Sequence, residues 1–179
     1  MSVYVGPVPD PTMVRLHCDR PECEETLRIF IENEAGSRTK NLYDQRTLAY
    51  LRTVDVSLPY PYPYGFVIGT RSGDDDCVDC FVLTAKLLST GDTVTCEPIG
   101  LLEHVEDGEI DHKVLAVPAG EHRVVDDMTV QELERFIGGV FANMPGKRMD
   151  IGPVHGRSAA EAYVATCRDD SSQTDRQGT

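Results

Sequence analysis

The stretch SGDDDCVDCFVL, residues 72 to 83, sets four aspartates, Asp74, Asp75, Asp76 and Asp79, within six positions at the mouth of an apolar run. Each carboxylate raises the cost of ionising the next, so the crowding calls for a compensating cation or for open solvent. On an extended backbone Asp74 and Asp76 point to one side, and Asp79 joins them if the chain turns near Cys77. Three carboxylates converging in that way suit a hard dication, and Mg²⁺ takes carboxylate and water oxygens at ~2.1 Å. A solvated acidic turn is the alternative that local composition leaves open.

A second acidic stretch, EHVEDGEIDHKVLAVP, lies at the junction of two further strand-like runs. Glu106, Asp107 and Asp111 there are candidates to complete a cage for several metal ions, and Lys113 is placed to hold an anion. Lys40 and Arg52 lie upstream, and YPYPYG offers the phenols of Tyr60 and Tyr64, which also read as packing for a barrel rim. Acid, base and phenol together point to phosphoryl chemistry. His17, His104, His112, His122 and His155 are scattered and read as surface or turn residues. Cys77 and Cys80 have the spacing of many zinc sites, but Cys18 and Cys23 do not complete a second half, and Cys96 and Cys167 stand alone. All six are expected as reduced thiols, with Cys77 and Cys80 not zinc ligands.

The elements that must carry these residues are mostly strands. TMVRLHC, TLRIFIE, TLAYLRTV, YGFVIGT, CFVLTAKLL, DTVTCEPIGLLEHV and KVLAVP show a period near two and are rich in Val, Ile, Thr and Tyr, which predicts about seven strands. STGD, EDGE and PYPYPYG carry turn chemistry between them, and short strands so closely spaced curl into a barrel or sandwich. The period changes in DDMTVQELERFIGGVFANMPGK, where Thr129 and Glu132 have capping-box spacing and Val130, Leu133, Phe136, Ile137 and Val140 share a helical face, with the stop at MPG. A second helix is predicted in GRSAAEAYVATCRDD, and residues 169–179 form a polar tail expected to be disordered. The predicted fold is α+β, mainly β: a small closed OB-like barrel with two C-terminal helices, one domain over residues 1–168.

Lys and Arg number 17 against 30 Asp and Glu, a formal charge of -13, which argues against a nucleic-acid partner. The first residues, MSVYVGPVPDPTMV, lack a basic and then apolar leader, and no window approaches the ~18 apolar residues of a membrane span. The expectation is a cytoplasmic protein with no membrane partner.

The residues that carry chemistry also carry a family resemblance. Tyr60-Pro61-Tyr62-Pro63-Tyr64-Gly65, Asp74-Asp75-Asp76-Cys77-Val78-Asp79, and Asp111-His112-Lys113 leading to Val117-Pro118 resemble, in order and separation, three motifs of the family I soluble inorganic pyrophosphatases. The likeness is densest from residue 50 to 118. It implies hydrolysis of magnesium pyrophosphate to two phosphates by a metal-activated water, with several Mg²⁺ per site, or Mn²⁺ in their place. It also implies a homo-oligomer, commonly a hexamer in bacterial members. Carried over by position, Asp74, Asp79 and Asp111 are metal ligands, Glu106 stands where a ligand aspartate is usual, and Glu32 matches the first N-terminal glutamate. Asp76 matches the general base, Tyr64 and Lys113 the phenol and amine at the reacting centre, and Lys40, Arg52, Tyr60 and Lys113 the substrate contacts.

Three positions depart from the family pattern. The second N-terminal glutamate falls at Leu42, the helical Tyr-Lys phosphate clamp at Val140-Phe141, and the proline after the second signature aspartate is Cys77. Lys147 or Arg148 is a candidate substitute for the clamp. The resemblance therefore leaves two alternatives: a divergent metal-dependent hydrolase of another diphosphate or phosphonate ester, and a weakly active metal-binding scaffold.

Overall fold

Alternating apolar residues bury one face of a strand each, and here they close a ring. The computed structural model of the chain describes residues 25–169. TMVRLHC, His17, Cys18, Cys23 and the tail beyond Asp169 lie outside that range. The described strands are β1 (Leu27–Asn33), β2 (Thr39–Tyr43), β3 (Tyr50–Asp55), β4 (Tyr64–Val67), β5 (Asp79–Val82), β6 (Thr93–Glu106), β7 (Glu109–Ile110), β8 (Lys113–Pro118) and β9 (Met149–Gly156). Helix α1 spans Asp127–Gly139 and α2 spans Arg157–Thr166.

Strands β1, β4, β5, β8 and β6 pair in that order, and β6 pairs back onto β1 to close a five-stranded barrel. All its pairings are antiparallel except β5 with β8. This is the Greek-key order of the OB fold, as the strand pattern predicted. The six apolar runs within the described residues become β1, β3, β4, β5, β6 and β8. Three further strands escape the pattern: β2 is half-exposed throughout, β7 has two residues, and β9 contains Gly152 and Pro153. Pro is tolerated in strands mainly at edges and bulges: Pro98 of β6 sits where its ladder with β8 shifts register, and β9 lies on the flank of β6, outside the ring.

Leu27, Ile29 and Ile31 of β1, Val67, Cys80, Val82, Cys96, Leu101, Val114 and Ala116 fill the barrel lumen, with Ala160 and Val164 of α2 packed into the same cluster. The intervening residues face outward, where Tyr64, Phe81, Leu83, Leu102, Leu115 and Val117 pack beneath Leu133, Phe136 and Ile137 of α1. Both faces of the wall are therefore apolar over much of their area, and any polar residue on the outer face is there at a cost in solvation. Gly65 is demanded by this wall: a Cβ there would stand 1.8 Å from the main-chain oxygen of Phe30.

The start and end of α1 differ from the sequence expectation. The N-cap is Asp126, whose carboxylate accepts the Thr129 amide at 2.8 Å and the Thr129 hydroxyl at 2.7 Å. Thr129 is thus the capped residue rather than the cap, and Glu132 instead accepts the Tyr62 hydroxyl at 2.8 Å. The helix ends at Gly139, short of MPG, because the Ser57 amide takes the Val140 carbonyl at 2.8 Å and a Cβ on Gly139 would collide with Leu58. Asp126→Ala is therefore expected to lower unfolding free energy by about 1 kcal/mol. In urea titrations its midpoint should drop at constant slope, and an unchanged midpoint would refute the cap.

Candidate active site

The same alternation that fills the lumen sends Glu32, Tyr64, Asp79 and Lys113 to the outer face of the wall, at one end of the barrel. Phe66 pairs Asp79 across β4 and β5, and Leu102 pairs Lys113 across β6 and β8, so register fixes their neighbourhood. Lys113 Nζ donates to Asp79 Oδ2 and to Asp111 Oδ2, each at 2.5 Å. The Tyr64 hydroxyl donates to the same Asp79 oxygen. Burial disfavours charge on Lys113, but Asp79 and Asp111 outweigh it and raise its pKa. Burial likewise pushes Asp111 up, yet the His104 and Lys113 contacts prevail and hold it at about 2. The Tyr64 phenol stays protonated, driven well up by burial and by Asp79.

The turn before β5 brings in the other aspartates. Ser72 donates its amide to Asp76 at 2.7 Å, and Asp75 takes a left-handed φ of 68°. The Asp74 carboxylate accepts the Ser72 hydroxyl and, at 3.1 Å, the Asp76 amide. Asp75 faces solvent and lies 3.5 Å from Arg71. Gln45, at the tip of the β2–β3 hairpin, accepts the Cys77 amide at 2.7 Å and ties turn to hairpin. The chain does turn near Cys77, and Asp74, Asp76 and Asp79 share a cavity.

That cavity, about 960 Å³, is also lined by Glu32, Lys40, Arg52, Glu106, Asp111 and Lys147. Burial, then Asp74 and Asp79, raise the Asp76 pKa. Burial, then Asp79, raise Glu32 to about 8. Arg52 on β3 is exposed opposite Leu42 of β2. Tyr60 is set back in the outer core, 4.7 Å from the Phe136 ring and 5.3 Å from that of Tyr64. Tyr60, Tyr64 and Lys113 adjoin a smaller space of about 30 Å³ shared with Lys40 and Glu106.

Two features were not read from the sequence. His104 is buried rather than on a surface or turn, and a ring nitrogen of His104 lies within 4.8 Å of carboxylate oxygens of Glu106 and Asp111, themselves equally close, a spacing that fits one cation. Alternation along β6 carried the signal, since Leu102, His104 and Glu106 recur every second residue before the chain turns at Asp107 and Gly108. That turn has φ of 53° and 91°, and Asp107 is clasped to Arg148 by two main-chain-amide bonds of 2.9 Å. The clasp sets Lys147 on Glu106, with Asp107 Oδ2 at 3.3 Å. Arg148 is exposed and pairs with Asp150 at 3.0 Å. Phe141, at the clamp position, carries the ammoniums of Lys40 and Lys147 at 5.3 and 5.6 Å from its ring centre. Cys77, Cys80, Cys96 and Cys167 are free thiols, with Cys80 in the lumen and Cys77 at the cavity, so the pair does not converge. Among the described residues no helix is long and apolar enough to cross a membrane.

Fold and site together define a class: an OB-type barrel bearing an acid-lined, cation-ready cavity on its outer wall. The chain belongs to the inorganic pyrophosphatase family, whose profile matches residues 29–170. It is 31% identical to the inorganic pyrophosphatase of Geobacillus stearothermophilus over 151 residues, 79% of this chain and 91% of that one. It is 34% identical to the inorganic pyrophosphatase of Synechocystis sp. over 109 residues, 60% of this chain and 64% of that one, so the match spans less than two thirds of that relative. The crystal structure of the Thermus thermophilus inorganic pyrophosphatase superposes with a TM-score of 0.72 at 28% identity, covering 82% of this chain and 91% of that one.

Glu32 supplies a pH test of this electrostatic site. Its folded pKa, about 8, exceeds the ordinary 4.5, so folding takes up a proton between those values and stability falls as pH rises through them. In metal-free buffer with chelator, Glu32→Gln should unfold at higher urea than the wild type at pH 8 and show a shallower loss between pH 5 and 8. Parallel pH profiles for the two proteins would contradict the buried, protonated glutamate.

Proposed function

We propose that the chain hydrolyses inorganic pyrophosphate to two phosphates in a Mg²⁺-dependent reaction, with Mn²⁺ as a second usable ion. The observation that carries this reading is the Tyr64–Asp79–Lys113–Asp111 network at the edge of a cavity ringed by carboxylates and lysines. Asp74, Asp79, Glu106 and Asp111, with Glu32 once a cation displaces its proton, would hold the cations, an all-oxygen set that suits Mg²⁺. When bound, the cations neutralise substrate oxygens and acidify water. Asp76, its carboxyl raised by burial and by Asp74 and Asp79, accepts the proton of the attacking water. Tyr64 and Lys113 donate toward the charge that develops at the reacting phosphorus, and Lys40, Arg52 and Tyr60 orient the substrate. The proposal extends to a cytoplasmic homo-oligomer, a hexamer by family resemblance.

The missing helical clamp does not leave the substrate side without cations. Lys40 and Lys147 converge over Phe141 from β2 and from the loop before β9. This supports pyrophosphate itself over an organic diphosphate, because the place where an organic group would sit carries two positive charges. Lys147 takes the clamp role and Arg148, paired outward, does not.

Phosphate release from pyrophosphate with Mg²⁺, beside a panel of nucleotides and small organic diphosphates, tests the reading. Pyrophosphate should be the preferred substrate, and Asp79→Asn should lower kcat by ~10² to 10⁴ with the fold retained. Folded wild-type protein with no turnover above buffer would sink the proposal. A companion measurement addresses the clamp: Lys147→Ala should raise KM about tenfold with kcat nearly unchanged, the signature of lost uniform binding, whereas Arg148→Ala should leave both constants in place. Equal effects of the two substitutions would remove Lys147 from the clamp.

A further inference from the structure

The β2–β3 hairpin brings Lys40 and Arg52 to the cavity, yet it forms a two-stranded sheet of its own and shares no ladder with the barrel. A two-stranded hairpin is marginal in water, so its aim depends on what ties it down. Its foot is held where the Tyr60 amide donates to the Ser37 carbonyl at 3.0 Å, and its tip where Gln45 accepts the Cys77 amide. Between foot and tip, the hydrogen bonds that join β2 to β1 among the described residues both fall on Asn41. The Asn41 amide donates to Asn33 Oδ1 at 2.8 Å, and Asn41 Nδ2 donates to the main-chain oxygen of Glu32 at 2.8 Å. Asn41 Oδ1 in turn accepts the Thr53 hydroxyl at 2.7 Å, which leaves Thr53 Oγ1 to accept from Tyr50 at 2.8 Å. One amide side chain thereby joins β1, β2 and β3.

The chemistry of these contacts fixes how Asn33 is turned. Only its oxygen can accept a main-chain N–H, so Nδ2 is left buried, without a hydrogen-bond partner among the described residues. Asn33 is 0% exposed. A half-satisfied amide in the interior is unfavourable for folding, and an apolar side chain of similar size would pack there at lower cost. What the amide does hold is one register position of the hairpin. Asn41 pairs with Thr53, and Lys40 and Arg52 are the residues just before each of them. Alternation puts those two on the opposite face of the hairpin, with Leu42, and all three line the cavity. A displacement of Asn41 therefore moves both cations together.

We propose that Asn33 and Asn41 are positioning residues, which act through Lys40 and Arg52 to set the cationic side of the cavity against a diphosphate. This rests on the pyrophosphate reading above. The competing account is a purely structural tie, whose loss would act alike whether or not Lys40 and Arg52 were present.

Steady-state kinetics with Mg²⁺ and pyrophosphate, on the full chain, compare the wild type, Asn33→Leu and Asn41→Ala, each also in a background carrying Lys40→Ala and Arg52→Ala. Asn33→Leu should raise KM roughly five- to tenfold with kcat kept within about twofold, the pattern of altered substrate binding. In the background without the two cations the same substitution should change KM by less than about twofold, because the residues it acts through are gone. Hydrogen exchange at the Asn41 amide should be faster in Asn33→Leu than in the wild type. Equal fold-changes in both backgrounds, a loss confined to kcat, or an Asn41 amide exchanging at the wild-type rate would each overturn the proposal. Asn41→Ala, at a partly exposed position, should reproduce the KM increase and decides the matter if Asn33→Leu does not fold. Calorimetry with Mg²⁺ and methylenediphosphonate, a diphosphate analogue that is not hydrolysed, separates this inference from the function. Wild type that binds the diphosphonate without turning over pyrophosphate refutes the hydrolysis, and the same comparison of backgrounds, read in Kd, then decides the clasp. Turnover with no dependence of the Asn33→Leu effect on Lys40 and Arg52 refutes the clasp alone, and a wild type that neither binds nor turns over refutes both.

Discussion

The Lys113 ammonium between Asp79 and Asp111 is the interaction on which the site depends. A lysine with 6% of its side chain exposed is costly to keep charged, and two carboxylates this close would repel each other without it. Its two bonds of 2.5 Å join β5 to the start of β8, the one parallel pairing of the barrel, at the end where the cavity opens. The Tyr64 phenol adds a second donor on Asp79 from β4. Three consecutive strands of the ring are therefore joined through one aspartate. Such a network narrows the positions open to Asp79 and Asp111 before any ligand arrives, which is what preorganisation requires.

Placing this network on the outer wall, rather than in the lumen, follows from a barrel of only five strands. The lumen is filled by aliphatic side chains from every strand and by the apolar edge of α2, and no polar cluster of this size has room there. The outer face offers space, but most of it is claimed by the apolar layer under α1. The site occupies the margin where that layer ends. The β2–β3 hairpin forms the other rim: Phe30 of β1 meets Tyr43 of β2 edge to face at 4.9 Å and the tilted ring of Phe66 at 5.4 Å. Glu32, two residues after Phe30, is consequently buried beneath the hairpin beside the aspartates, which accounts for its retained proton.

What could be read from the sequence was local. Asp74 and Asp76 lie in the turn that leads into Asp79 at the start of β5, and Asp111 stands two residues before Lys113 at the start of β8, so their spacing already encoded their meeting. The barrel was legible because six apolar runs alternate cleanly. The parts that were missed depend on contacts between distant segments. His104 looked solitary when histidines were counted one by one, since only the strand face shared with Glu106 and the return of Asp111 give it company. The end of α1 was overestimated because Ser57 and Leu58, some eighty residues upstream, decide where it stops. The Asp126 cap was passed over because Thr129 and Glu132 satisfied a spacing rule that neither of them enacts. Strand β9 needs β6 as a partner before its Gly and Pro become tolerable.

For the proposed hydrolysis of a polyanion, a formal charge of -13 poses an electrostatic problem. The cavity resolves it by separating the signs in space. Carboxylates of the 74–79 turn, Glu106 and Asp111 form the side that attracts dications, whereas Lys40, Arg52 and Lys147 come from the hairpin and from the loop before β9. These three basic residues thus come from segments outside the closed ring, and the carboxylates just named from or next to its strands. On the proposed reading a metal-neutralised anion would meet both halves at once, while a bare anion would meet a field dominated by the carboxylates. Lys147 sits on the seam, its ammonium on Glu106 and its flank over Phe141, so the same residue that screens a cation-side carboxylate also extends the anion side. Under the proposed function, selectivity for a metal-complexed substrate would follow from this arrangement of charges, with no need for a net positive surface.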